Sequence, residues 1–139
     1  IMIKQALHFF DKDKRKKLIE ICKKNLKKNG ALIILSLNTT NNEIPCFALM
    51  KQKLNRGLER DSRMLKSTCK ILKTYKIDRF NFKVSISKNK YIEILKQKYI
   101  SCLLNLTKDQ ITKGINEIMN IYPNKIIFED ILICIKYKH

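Results

Sequence analysis

His8 stands between Leu7 and the pair Phe9-Phe10, with Asp11 following. An imidazole is the side chain best matched to proton transfer near neutral pH, and two adjacent aromatic rings offer an apolar wall to a ligand. Gln5, three residues earlier, carries an amide that can hydrogen-bond a bound molecule. Further along, Ser36, Asn38 and Thr39 close an apolar run with hydroxyl and amide groups. Arg56, Arg60 and Arg63 could anchor an acidic ligand, but solvation on a helix surface is the simpler role for them. The cysteines are Cys22, Cys46, Cys69, Cys102 and Cys134, an odd number with no Cys-x-x-Cys pair, and they read as buried free thiols. Zinc needs four ligands at short paired spacings, and the only histidines, His8 and His139, lie at opposite ends of the chain, so no metal is expected. A Gly-x-Ser-x-Gly elbow, a Cys–His pair and a phosphate-binding loop are also missing, which argues against hydrolase, kinase and metalloenzyme chemistry.

These side chains must be positioned by regular elements. The apolar stretch over residues 2–7 predicts a strand that delivers His8. Residues 11–28 carry Leu18, Ile21, Cys22 and Leu26 at helical spacing, with Asp11 and Asp13 at the start and Lys23, Lys24, Lys27 and Lys28 at the end, a distribution that suits the helix dipole. Asn29-Gly30 supplies a left-handed stop. The run Ala-Leu-Ile-Ile-Leu-Ser-Leu over residues 31–37 predicts a strand buried on both faces, and strand, helix, turn and strand together make a βαβ unit. Residues 44–75 return to a helical pattern, with Phe47, Met50, Leu54 and Leu58 in one stripe, Leu65, Cys69 and Leu72 in another, and Gly57 dividing two helices.

Residues 79–86 alternate, with Phe80, Phe82, Val84 and Ile86 on one side, as in a half-buried strand near an edge. Ser87 can cap a helix carrying Tyr91, Ile92 and Leu95. Thr107-Lys-Asp-Gln110 is a capping box before Ile111, Ile115, Ile118 and Tyr122. Residues 126–137 are apolar on both faces, the mark of an interior strand. The fold class expected is α/β, with about four strands, the last inserted antiparallel, and flanking helices.

With 139 residues the chain is expected to be a single domain, with residues 44–76 as a possible helical cap. Its apolar runs are far shorter than the roughly 20 residues of a membrane-spanning helix, and its start, Ile-Met-Ile-Lys-Gln, lacks the features of a signal peptide. A cytoplasmic protein is expected. The net charge of +18 is carried by 25 Lys against 5 Arg, and it accompanies 22 Ile and 12 Asn, a skew toward residues with AT-rich codons. Lysines spread along solvated helix faces account for such a charge more simply than a dedicated nucleic-acid surface, which would favour arginine forks.

Two segments resemble a known family. Gln5-Ala6-Leu7-His8-Phe9-Phe10-Asp11 is similar to the Gln-Ala-x-His-Trp-Phe-Asp segment that follows the fourth strand of class I S-adenosylmethionine-dependent methyltransferases, and Leu26-Lys-Lys-Asn-Gly30 to their Leu-Lys-Pro-Gly-Gly turn before strand five. The order of elements likewise resembles the C-terminal half of that Rossmann-like domain, in the small-molecule branch related to ubiquinone-biosynthesis and trans-aconitate methyltransferases. The resemblance implies strands placed fourth, fifth, seventh and sixth, with the first strand left as an apolar edge that preceding chain or a second copy would cover.

The resemblance also implies roles. His8 would be the catalytic group, Gln5 would approach the S-adenosylmethionine cofactor, and Phe9, Phe10, Ser36 and Asn38 would contact a small-molecule acceptor. The family's Gly-rich donor loop and acidic ribose ligand have no counterpart among Gly30, Gly57 and Gly114 and their surroundings, so the chain reads as the acceptor-side half of an enzyme domain, and donor binding by this chain alone is in doubt. The alternative reading is a non-enzymatic basic domain that binds nucleic acid or another partner. Against it, Phe80, Phe82, Tyr91 and Tyr99 all fit core positions.

Overall fold

In the computed structural model, which describes residues 1–138, the first apolar stretch forms strand β1, Met2–Lys4. It ends sooner than the apolar pattern predicts because Gln5 takes φ 48° and turns the chain into a single 3-10 turn, Leu7–Phe9. Asp11 then caps helix α1, Lys12–Lys24, by accepting from the Lys14 amide at 2.8 Å. This helix also stops early: the Asn25 side chain donates to the Ile21 carbonyl at 2.8 Å, satisfying a carbonyl of the last turn. The left-handed residue that follows is Asn29, with φ 65°, and Gly30 is not left-handed.

Strand β2, Ala31–Leu37, pairs parallel to β1, with Lys4 opposite Leu35. Only one of its faces is fully buried. Leu32, Ile34 and Ser36 point into the core, while Ile33, Leu35 and Leu37 are half-buried, a correction to the expectation of two buried faces. Helix α2, Ala48–Leu72, runs unbroken for 25 residues. Gly57 does not divide it: a glycine in a helix interior costs only about 1 kcal/mol, too little to break a helix anchored by buried residues on either side.

Strand β3, Lys76–Ser87, helix α3, Lys88–Lys96, a 3-10 turn at Ser101–Leu103, helix α4, Lys108–Ile121, and strand β4, Lys125–Lys138, complete the fold. Ser87 caps α3, and Thr107 with Gln110 forms the capping box of α4. The strands make an open mixed sheet in the order β1-β2-β4-β3, with β4 antiparallel to β2 so that Ile34 faces Ile135. Four helices and this sheet make the described residues an α/β fold.

Contacts divide the chain into two compact units. One contains Ile1–Asn41, Glu59–Asn81 and the chain from Ile131; the other contains Asn42–Leu58 and Phe82–Asp130. In the first, Ile19 and Cys22 of α1, Leu32 and Ile34 of β2, Leu65 and Leu72 of α2 and Ile135 of β4 share one core. In the second, Phe47, Met50, Tyr91, Leu95, Leu103, Ile111 and Ile118 do the same. There the Tyr91 hydroxyl donates to the Pro45 carbonyl at 2.5 Å, and the Tyr122 hydroxyl accepts from the Cys46 amide at 3.1 Å.

Three further expectations are corrected. Phe80 and Phe82 on β3 are 56% and 68% exposed, and Tyr99 is also exposed; of the four aromatics assigned to core positions only Tyr91 is buried. Alternation shows which residues share a strand face, but along most of β3 that face is exposed. Among the cysteines, Cys22 and Cys134 are buried, while Cys46, Cys69 and Cys102 are half-buried, all as free thiols. On α1, Ile21 is exposed and Arg15 takes its place in the buried stripe with Ile19 and Cys22. Among the described residues no helix is long and apolar enough to cross a membrane. His139 lies outside the described residues.

Candidate functional site

The carboxyl ends of β1 and β2 lie side by side, because the two strands are parallel and adjacent. In open α/β sheets this is the rim where ligands bind. Gln5 follows β1 directly, donating its amide to the Leu35 carbonyl at 2.7 Å, which extends the pairing by one residue; its side chain is exposed. The 3-10 turn is closed by the Phe9 and Phe10 amides, which donate to the Ala6 and Leu7 carbonyls, each at 3.2 Å. It anchors Leu7 in the core and holds the His8 ring against Phe9, centroid to centroid 4.1 Å.

Two polar atoms at this rim are buried without a partner. One is Nε2 of His8 and the other is Oδ1 of Asn38. An unsatisfied buried polar atom costs about 1–3 kcal/mol, and such atoms mark places where a ligand or water can complete the bonding. Asn38 is held from both ends: its amide donates to the Ile131 carbonyl at 2.8 Å and its Nδ2 donates to the Thr40 carbonyl, which leaves Oδ1 aimed away from those bonds. Ser36, in the last part of β2, is buried opposite Ile133. Phe9 is 73% exposed and Phe10 is also exposed, so these rings offer apolar surface to solvent.

The rim therefore gathers Gln5, His8, Phe9 and Phe10 after one strand and Ser36 and Asn38 at the end of its neighbour. Each of the two unpartnered atoms can take part in a further hydrogen bond. The arginines of α2 do not join the rim. Arg56, Arg60 and Arg63 are exposed on α2, and Arg60 pairs with Asp61 at 2.9 Å.

The residues present do not fit the donor implied by the resemblance. A Cβ at Gly30 would lie 2.8 Å from the Lys27 carbonyl oxygen and one at Gly114 would lie 2.5 Å from the Phe47 ring, whereas Gly57 faces open space. The first two glycines allow close packing within the protein, and none belongs to a loop that could cradle a nucleoside. Of the described residues only Gln5 stands as a candidate donor contact, through an exposed side chain. Among the described residues no three His, Cys, Asp or Glu side chains gather as metal ligands.

Two features escaped the sequence pattern. Arg15, nearly buried, donates to the Phe10 carbonyl at 3.2 Å and to Ser67 Oγ at 3.3 Å, tying the histidine segment to α2. A cleft of about 650 Å³ lies beside the C-terminal half of α2, with Thr39, Lys66, Lys70, Lys73 and Arg79 among its lining. The lysine spacing along α2 was visible in the sequence, but the strand residues that complete the cleft come from β3 and β4. A comparison with protein-family models finds no match, and neither does a comparison with curated proteins.

Proposed function

We propose that this chain forms the acceptor-side part of an S-adenosylmethionine-dependent methyltransferase domain of Rossmann-like type acting on a small molecule. The observation that carries the reading is the sheet order β1-β2-β4-β3 with β4 antiparallel to β2, which matches the fourth, fifth, seventh and sixth strands implied by the resemblance of the 5–11 and 26–30 segments. The bound donor would supply an already activated methyl group, so the protein need only orient the acceptor, exclude water and manage one proton. Asn38 Oδ1 and His8 Nε2 are free to serve the first and the last of these needs, the amide oxygen orienting an acceptor hydroxyl or amine and the imidazole taking its proton. Phe9 and Phe10 supply the apolar wall, Ser36 lies behind it, and Gln5 is the candidate donor contact. Five free thiols fit a reducing compartment such as the cytoplasm.

The test is methyl transfer by the active protein, compared with a His8→Ala variant whose fold is checked by circular dichroism. Turnover at least about a hundredfold lower in a folded variant is expected. Unchanged turnover would overturn the reading of this rim as the acceptor side of a methyltransferase.

A second reading, a basic nucleic-acid-binding domain, is favoured by one finding: Phe80 and Phe82 are exposed on a strand that also carries Lys76, Arg79 and Lys83. Aromatics interleaved with cations are what a single strand stacks on. Affinity for mixed-sequence RNA that falls steeply with salt and collapses in Phe80→Ala would favour it. Salt-insensitive or undetectable binding would exclude it.

A further inference from the structure

The cleft beside α2 concentrates charge that the rest of its surroundings does not balance. Lys66 and Lys70, four residues apart on α2, share a helix face and repel one another, and Lys73, just past the end of the helix with φ 66°, lines the same cleft. Arg79 of β3 adds a fourth cation to the same lining. Among the described residues none of the four makes an ion pair with a carboxylate; the pairs formed are Lys14–Asp11, Arg60–Asp61 and Lys96–Glu93.

Beneath the cations the lining is apolar, with Leu65 of α2 and Ile133 and Ile135 of β4. The volume, about 650 Å³, falls in the range of small-molecule sites, which are mostly apolar with a few polar groups that fix orientation. Four cations exceed what one carboxylate would neutralise. A phosphate monoester brings nearly two negative charges and three acceptor oxygens, and lysine binds phosphate well as a point charge.

We propose that this cleft binds a small molecule carrying a phosphate group on an apolar body, the phosphate among Lys66, Lys70, Lys73 and Arg79 and the body on Leu65, Ile133 and Ile135. Thr39 and Ser62, also in the lining, add hydroxyl groups to it. A nucleic-acid backbone would use the cations but leave the apolar floor empty. The proposal goes beyond the methyl-transfer reading and does not depend on it.

The experiment is a titration of the full chain with 1-naphthyl phosphate, followed by the probe's fluorescence and by calorimetry, with 1-naphthol and inorganic phosphate as the body and the head alone. One saturable site is expected, at least tenfold tighter for the ester than for either part. Replacing Lys66→Gln together with Lys70→Gln should weaken binding at least tenfold. Lys16→Gln with Lys17→Gln, which removes the same charge from exposed positions on α1, should change it less than twofold. The proposal is overturned by absence of saturable binding, by equal weakening in both double variants, by inorganic phosphate binding as tightly as the ester, or by mixed-sequence RNA displacing the ester at lower concentration.

Discussion

The Arg15 guanidinium donates through Nη1 to the carbonyl of Phe10 at 3.2 Å, reaching back five residues from the first turn of α1 to the segment that carries His8. Its Nη2 donates to Ser67 Oγ, which itself donates to the Met64 carbonyl at 2.9 Å on α2. A nearly buried cation with no carboxylate partner among the described residues is costly to bury, and this one directs its hydrogen bonds to the exit of the 3-10 turn and to α2.

Arg15→Ala should destabilise the protein by roughly 1.5–3 kcal/mol, the range for losing hydrogen bonds to a charged group. Urea unfolding checks the magnitude. Hydrogen exchange checks the role, since the Phe9 and Phe10 amides should exchange faster while amides in the second unit's core are little changed under native conditions. Equal acceleration throughout the molecule would reduce Arg15 to a packing residue.

Two glycines on helices should respond in opposite directions. Gly114 of α4 lies against the Phe47 ring so closely that a Cβ would approach ring carbons at 2.5 Å, whereas a Cβ at Gly57 of α2 would meet nothing within 4 Å. Gly114→Ala should cost about 1–3 kcal/mol through overpacking, and Gly57→Ala should gain up to about 1 kcal/mol by restricting the unfolded chain and favouring the helix. Thermal unfolding of the two variants measures both signs; a stabilised Gly114→Ala would show that Phe47 moves aside freely.

Much of this fold is legible in the sequence because its signals are local. Thr107 and Gln110 announce the start of α4 by their spacing, Ser87 does the same for α3, and the largely apolar run over 31–37 marks an interior strand. Helix continuity across Gly57 was not legible, since buried residues before and after that glycine outweigh its propensity. Nor was the exposure of Phe80 and Phe82, because a strand's periodicity identifies a face without telling whether anything lies on it. At the rim, His8 and Asn38 could be nominated from the sequence, but their unpartnered atoms could not. Satisfaction of a buried atom depends on groups brought together by the parallel pairing of β1 and β2.

At His8 the cost of an unsatisfied atom separates function from stability. Among the described residues Nε2 has no hydrogen-bond partner, so His8→Ala removes a desolvated polar atom and loses the ring's packing on Phe9. The loss of stability should stay below about 1 kcal/mol, because packing lost and desolvation relieved act in opposite directions. On the proposed function, methyl transfer by the active protein should fall at least about a hundredfold in the same variant, in the range general-base removal produces. Activity that survives unchanged would take His8 out of the site, and a stability loss above about 3 kcal/mol would make it a structural residue.

Alkaline pH should weaken the fold through Cys46. Burial pushes its thiol up to about 12, with Cys102 nearby adding to the shift, and its Sγ donates to the Ile44 carbonyl at 3.1 Å. The folded state thus keeps a proton that the unfolded state releases near the ordinary thiol value of 9.0. Where the folded state binds more protons, stability falls as pH rises, so the contribution is fully present below about pH 9 and is lost progressively toward pH 12. One such group sets a slope of at most about 1.4 kcal/mol per pH unit. Burial raises Cys102 and Tyr91 in the same core, so they act in the same direction. Urea unfolding at pH 7, 9 and 10.5 should show a flat first interval and a falling second one, and Cys46→Ala should make the second shallower. An unchanged slope in that variant would mean that the Cys46 thiol ionises as readily in the folded protein as in the unfolded chain.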